Sequence, residues 1–306
     1  MQPFGEDFFL IFDVNLYCVL AYQSTPLVEI NDPAFAEAGI RVVLKREDLN
    51  HPYVSGNKWW KLKYNIEKVL QHPSRTLLTF GGAYSNHLYA AAAACHELGL
   101  RSIGVVRGEE HPLLNDTLQF VKDRGMHLHY VSRESYRHKT EADFIDALEN
   151  EFGAFVLVPE GGSNEEAVQG ASEFAESLDQ SFDYLCCPVG TGGTLAGLIR
   201  GYSPTKTILG FSVLKGAYGM AEEIQHWNPG KTNWQLITDY HFGGYAKSTP
   251  DLLQFIAQFK ARHAVPLEPI YTGKMMSGIF DLTKQGFFKR GSTLLAIHTG
   301  GLQGKY

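Results

Sequence analysis

The chain has few cysteines, no net positive charge and no long uncharged apolar run. Its four cysteines among 306 residues, Cys18, Cys95, Cys186 and Cys187, lack metal-ligand spacing, and an adjacent pair within an apolar stretch is poorly placed for a disulfide framework. A reducing, cytoplasmic setting fits that usage. A formal net charge of −6 offers no general attraction for phosphate polymers, which argues against nucleic-acid partners. The apolar stretch from Phe8 to Tyr22 follows Glu6 and Asp7 and is interrupted by Asp13. A secretory signal opens with positive charge, and a spanning helix needs about 20 largely uncharged residues. The stretch therefore reads as an extra surface strand or helix, or as an extension outside the catalytic fold, and no membrane partner is expected.

Several catalytic signatures are also missing. Ser85 lies in Ala-x-Ser-x-His with no Gly-x-Ser-x-Gly elbow, which weakens a serine hydrolase reading. His127 and His129 share a strand but have no His-Glu-x-x-His partner, so no metal site is expected. There is no Gly-Lys-Ser/Thr nucleotide loop and no Gly-x-Gly-x-x-Gly dinucleotide fingerprint. Repeats, low-complexity segments and flexible linkers are absent too, so lobes of this chain must share an interface.

What is present is an ordinary globular composition, 44% hydrophobic and 20% charged, with enough length for two cores. Short β-rich runs at 40–44, 76–80, 102–106, 127–131 and 155–158 alternate with helical periodicity at 58–70, 85–98, 113–124, 141–151 and 164–178. A second set of apolar runs lies at 184–189, 207–213 and 293–298. Such alternation predicts an α/β protein with parallel sheets covered on both faces. The run Ala90–Cys95 would let one helix approach a sheet closely.

Two segments carry chemistry. Cys186 to Gly197 reads as strand, glycine turn and helix, with Gly190, Gly192 and Gly193 removing side chains where an anion would approach the backbone. A tight strand-to-helix turn with no ligand is the bland reading. Lys58 follows Gly56-Asn57 at the start of a helix. Most lysines are solvated charges, and one that attacks an aldehyde needs its charge disfavoured by burial or cationic neighbours. Together the two segments suggest a lysine and a phosphate cradle for pyridoxal phosphate. Between them, Gly81-Gly82-Ala83-Tyr84-Ser85-Asn86-His87 precedes the alanine-rich helix. Ser85 and Asn86 either cap that helix or join its N–H groups in receiving a substrate carboxylate.

Lys-Arg-Glu-Asp-Leu-Asn, Gly-Asn-Lys, Gly-Gly-Ala-Tyr-Ser-Asn-His, Pro-Glu-Gly-Gly-Ser-Asn, Gly-Thr-Gly-Gly-Thr and Tyr-Thr-Gly-Lys occur in that order. Over residues 24 to 303 the chain resembles the D-cysteine desulfhydrase and 1-aminocyclopropane-1-carboxylate deaminase family of fold-type-II, tryptophan synthase β-like pyridoxal phosphate enzymes. The resemblance implies two lobes, each an open, mostly parallel twisted sheet flanked by helices. Residues 1–60 and 168–306 would form the larger, cofactor-binding domain and 61–167 the smaller one. It also implies Lys58 as the Schiff-base lysine, Asn86 at the cofactor ring oxygen, and Gly190, Thr191, Gly192, Gly193 and Thr194 at the phosphate. Ser85, Asn86 and His87 would line the substrate side. The two active-site tyrosines of the family match Tyr271 and, less closely, Tyr245, where the usual Gly-Tyr-Gly reads Gly-Tyr-Ala. A homodimer is implied as well.

The family divides at two positions near the cofactor ring. Ring-opening deaminases carry a glutamate where this chain has Thr272 and a leucine where it has Thr299, whereas D-cysteine desulfhydrases carry hydroxyl residues at both. A carboxylate at the ring nitrogen makes a strong electron sink, and Thr272 suggests a weaker one. The expectation is β-elimination from a D-amino acid, with D-cysteine giving pyruvate, ammonia and sulfide. Cyclopropane deamination is the alternative, and a cofactor-binding protein without turnover is the alternative outside catalysis. Lys58, Ser85, Tyr245 and Tyr271 are the candidate catalytic residues. Trp59 and Trp60 either roof the pocket or pack the lobe interface.

Overall fold

The computed structural model describes residues 20–110 and 112–304. Cys18 and most of the apolar stretch beginning at Phe8 lie outside the described residues. In chain order come β1 (Leu27–Glu29), α1 (Pro33–Ala38), β2 (Arg41–Lys45), α2 (Asn57–Gln71), β3 (Thr76–Gly82), α3 (Asn86–Glu97) and β4 (Arg101–Arg107). Then follow α4 (Asp116–Asp123), β5 (His127–Val131), α5 (Ala142–Phe152), β6 (Val156–Val158), α6 (Glu165–Ser177), β7 (Tyr184–Val189) and α7 (Gly193–Gly201). The last are β8 (Thr207–Ser212), α8 (Met220–Trp227), β9 (Trp234–Ile237), α9 (Pro250–His263), α10 (Thr272–Lys284) and β10 (Thr293–Ile297).

These strands form two sheets, one six-stranded in the order β1-β2-β10-β7-β8-β9 and one four-stranded in the order β5-β4-β3-β6. Every described pairing is parallel except β1 with β2. The molecule is thus a two-lobed α/β structure with helices flanking mostly parallel sheets. Each helical crossover buries one face of a sheet, which is why the central strands are buried along nearly their whole length.

The largest core lies between the sheets and takes side chains from α2, α3, α6 and α7. Small residues set its spacing. A Cβ on Gly170 of α6 would lie 2.0 Å from the carbonyl oxygen of Trp60, and one on Gly197 of α7 would lie 2.3 Å from the Cβ of Ala171. Ala90 to Cys95 are all buried, so α3 sits close against its sheet. Trp59 and Trp60 belong to this core. Trp60 stacks on Phe174 of α6 with ring centroids 5.1 Å apart, and the Trp59 indole N–H donates to the carbonyl of Ala21.

Cys95, Cys186 and Cys187 are buried free thiols, and burial pushes the Cys95 thiol up to about 12. Among the described residues no helix is long and apolar enough to cross a membrane, and no group of three or more His, Cys, Asp or Glu is placed to hold a metal ion.

Candidate active site

The turn before α2 is built around a buried carboxylate. Glu47 accepts from Thr25 Oγ1 at 2.5 Å, Trp60 Nε1 at 2.7 Å and Asn50 Nδ2 at 3.0 Å. Its carbonyl accepts from the Gly56 N–H at 3.0 Å, and Asn50 Oδ1 accepts the same N–H at 2.9 Å. Gly56 holds φ +69°, and a Cβ there would lie 2.0 Å from the carbonyl oxygen of Thr299. Only glycine fits that crossing. The crossing fixes the first turn of α2 and with it Lys58, whose Nζ donates to Asn57 Oδ1 at 2.9 Å. Burial pulls the Lys58 amine down to about 8, opposed by the nearby charge of Glu268.

The glycine turn lies beside it. Asn57 Nδ2 donates to Thr194 Oγ1 at 2.8 Å, so the helix carrying Lys58 is tied to the first turn of α7. Gly192 adopts φ +82° as the N-cap of α7, which leaves the first N–H groups of that helix without a side-chain cap. Thr191 Oγ1 meets Ser163 Oγ at 2.5 Å, and Ser163 Oγ accepts from Lys61 Nζ at 3.0 Å. A Cβ on Gly193 would lie 2.9 Å from Ser163 Oγ and 3.3 Å from Lys61 Nζ. Lys61 is buried, and desolvation together with the Lys58 charge holds its amine well below the usual lysine range.

Ser85 caps α3 by accepting the Leu88 N–H at 3.2 Å. Asn86 opens the helix, and its Oδ1 accepts from Gln303 Nε2 at 2.6 Å. His87 was expected on the substrate side, but its imidazole is turned inward: Nε2 meets Thr79 Oγ1 at 2.9 Å and Nδ1 is buried without a hydrogen-bond partner. Burial and the charges of Lys61 and Lys58 keep the imidazole neutral.

The start of α10 supplies the third wall. Tyr271 lies over the glycine turn, where a Cβ on Gly190 would be 3.1 Å from its ring, and its ring meets that of Tyr245 edge-on with centroids 6.1 Å apart. Lys274 donates to the carbonyls of His241 and Gly244 at 2.8 Å each, which anchors the loop bearing Tyr245. Thr272 is not without a carboxylate. Its hydroxyl donates to Glu268 Oε1 at 3.0 Å and accepts from the Glu268 N–H at 3.1 Å, while Glu268 also accepts the backbone N–H groups of Ile270, Tyr271 and Thr272. Burial pushes the Glu268 carboxyl up against the pull of those donors. Thr299 stands behind Gly56 and lines an inner pocket with Lys58, Asn86 and Gly301.

Residues 19–300 match the family of pyridoxal-phosphate dependent enzymes. The chain belongs to that family. It is 31% identical to a Pyrococcus horikoshii protein that carries a provisional 1-aminocyclopropane-1-carboxylate deaminase name, over 88% of this chain and 87% of the relative. It is 30% identical to a bifunctional D-cysteine desulfhydrase/1-aminocyclopropane-1-carboxylate deaminase of Arabidopsis thaliana, over 94% of this chain and 78% of the relative. The crystal structure of a 1-aminocyclopropane-1-carboxylate deaminase homologue superposes with a TM-score of 0.82 at 28% identity, covering 94% of this chain and 92% of that one. Within the pyridoxal-phosphate dependent enzymes, the chain falls in this deaminase and desulfhydrase group.

The residues present fit pyridoxal phosphate. Lys61 is a buried amine that donates to the Ser163 hydroxyl, and it faces Gly193, which has no side chain, at a helix N-terminus. A dianionic phosphate satisfies both. Lys61, Ser163 and Glu268 escaped sequence reasoning. Spacing alone gave no signal for Lys61 or Glu268, whereas Ser163 lay in a motif already noted for the family.

Proposed function

We propose that this pyridoxal-phosphate dependent enzyme is a lyase that removes a β leaving group from a D-amino acid, with D-cysteine giving pyruvate, ammonia and sulfide. The observation that carries the reading is the juxtaposition of Lys58, its pKa lowered to about 8, with the Thr194 cradle through Asn57. When bound, pyridoxal phosphate supplies an aldehyde for amines and an electron sink for the α-carbon of the substrate. Lys61, Ser163 and the N–H groups from Gly190 to Thr194 hold the phosphate end. Lys58, neutral over part of the physiological range, accepts the α-proton. The N–H groups at the start of α3, with Ser85 and Asn86, receive the substrate carboxylate. Tyr245 and Tyr271, whose rings meet edge-on, pass a proton toward the leaving group. Thr272 and Thr299 complete the wall around the ring, and residues 1–60 with 168–306 form the larger of two domains. The working form is a homodimer acting on a small amino acid.

Opening of the cyclopropane of 1-aminocyclopropane-1-carboxylate is the second reading, and Glu268 favours it. A buried carboxylate one hydrogen bond behind Thr272 strengthens the sink that a lone threonine would leave weak. The test offers D-cysteine and the cyclopropane acid in parallel to cofactor-loaded protein and identifies the keto acid by mass spectrometry. Pyruvate from D-cysteine alone supports the lyase; oxobutyrate from the cyclopropane supports the deaminase. Neither product, with cofactor bound, points to another amino acid or to a binding protein without turnover.

A further inference from the structure

Two cavities meet at one pair of amides. The inner pocket is lined by Lys58, Thr299 and Gly301, and the outer cleft, about 520 Å³, by residues that include Tyr84, Asn115, Lys247 and Ile270. Among the described residues, Asn86 and Gln303 alone line both. They are bonded to each other, Gln303 Nε2 donating to Asn86 Oδ1 at 2.6 Å.

The approach of Gln303 is set by the backbone. After β10 the chain passes through Gly300 and Gly301 at φ +82° and +89°, a left-handed pair that turns it back across α3. A Cβ on Gly301 would lie 2.9 Å from Asn86 Nδ2. The Asn86 amide is therefore held at its oxygen, which meets Gln303, while its NH2 lies beside Gly301 on the side of the Lys58 pocket. A primary amide has a donor end and an acceptor end of nearly the same shape, so sterics alone do not choose between them. The Gln303 donor makes the choice. While Gln303 keeps its observed orientation, flipping Asn86 would set two NH2 groups against each other and lose the bond, a bias of about tenfold.

We infer that Gln303 is a positioning residue of this active site, which keeps the Asn86 NH2 directed at the pocket that holds the cofactor. The inference rests on the reading above that Lys58 and Asn86 both face pyridoxal phosphate. Gln303→Glu replaces the donor with acceptors, and Asn86 turns its NH2 to meet them, leaving its carbonyl toward an electron-rich ring oxygen. Gln303→Leu removes the donor without offering an acceptor, and the amide samples both orientations.

The test measures pyridoxal phosphate binding to apoprotein through quenching of tryptophan fluorescence, together with the visible absorbance of the loaded protein. Wild type, both Gln303 variants, Asn86→Ala and the two double variants are compared. Gln303→Glu is expected to weaken binding about tenfold and to displace the absorbance maximum, with Gln303→Leu weaker by about threefold. Both effects should vanish in the Asn86→Ala background. Packing alone would lower the melting temperature alike in both backgrounds and would leave the absorbance unmoved. Wild-type binding in both variants, or equal losses with and without Asn86, overturns the inference while the site reading stands. A wild-type protein that takes no pyridoxal phosphate on Lys58 overturns the site reading and the inference with it.

Discussion

Asn57 and Thr194 are 137 positions apart in sequence and 2.8 Å apart in space, the amide of one donating to the hydroxyl of the other. Asn57 Oδ1 also accepts from Lys58 Nζ, so one side chain connects the lysine to the glycine turn.

Asn57→Ala breaks both bonds while keeping a helix-compatible residue. Two partly buried hydrogen bonds, one of them to an amine, correspond to about 1–3 kcal/mol. Cofactor affinity is expected to fall by about 5- to 150-fold, read by equilibrium dialysis. Unchanged affinity would show that the lysine and the turn keep their relative position without this bond.

The Lys58 amine, brought down to about 8 by burial, sets a pH dependence for cofactor capture. Only the neutral amine attacks an aldehyde, so the bimolecular rate rises with pH and levels off above about 8, where an ordinary lysine would keep rising toward its reference pKa of about 10.4. Stopped-flow absorbance of apoprotein mixed with pyridoxal phosphate reads the midpoint. Lys58→Arg should show no capture at any pH.

Lys61→Met is expected to separate apoprotein stability from cofactor binding. The buried amine is unfavourable without an anion, so the substitution should leave apoprotein melting unchanged or higher. Loss of a charge-assisted contact, about 1.5–3 kcal/mol, should weaken the cofactor by about 10–100-fold. Calorimetry of both forms checks the pair of outcomes, and a drop in apoprotein stability would contradict the assignment.

Gly56→Ala and Gly99→Ala make a matched pair. Both glycines have positive φ, +69° and +61°, but a Cβ on Gly56 would strike the Thr299 carbonyl whereas one on Gly99 meets nothing within 4 Å. Gly99→Ala should cost about 1 kcal/mol of left-handed strain. Gly56→Ala should cost at least about 2 kcal/mol more and lose the cofactor, because the first turn of α2 must move. Urea denaturation measures the difference.

Lys274→Met removes the donor that holds the carbonyls of His241 and Gly244. The loop carrying Tyr245 should then become sensitive to protease, with turnover reduced more than cofactor affinity. Limited proteolysis and steady-state kinetics read the two effects separately.

The strands are legible in the sequence where short apolar runs are bounded by glycine, proline or helical periodicity. β2, β3, β4, β5, β7, β8 and β10 fall within a residue or two of the apolar runs that mark them. β1 and β9, with three and four residues, offer too short a pattern, and the consecutive helices α9 and α10 interrupt the strand–helix alternation that guides the reading. Lys58 and the turn from Gly190 stood out because glycines beside them are chemically specific. Lys61 reads like any surface lysine until α2 is folded against Ser163. Glu268 is one of 33 acidic residues, and its burial depends on the close pass of Gly301. The inward turn of His87 was hidden for the same reason: Thr79 reaches it across the sheet–helix interface, eight residues back.

Strand β10 sits between β2 and β7, although it is the last strand in the chain. As the chain is synthesised, all strands of the four-stranded sheet are made by residue 158, whereas the six-stranded sheet remains split until residue 297 has been added. During synthesis β2 and β7 each keep an unpaired edge in the place β10 will fill. Such open edges are sites for mispairing between chains. The order of synthesis therefore leaves a window in which chaperone shielding matters most.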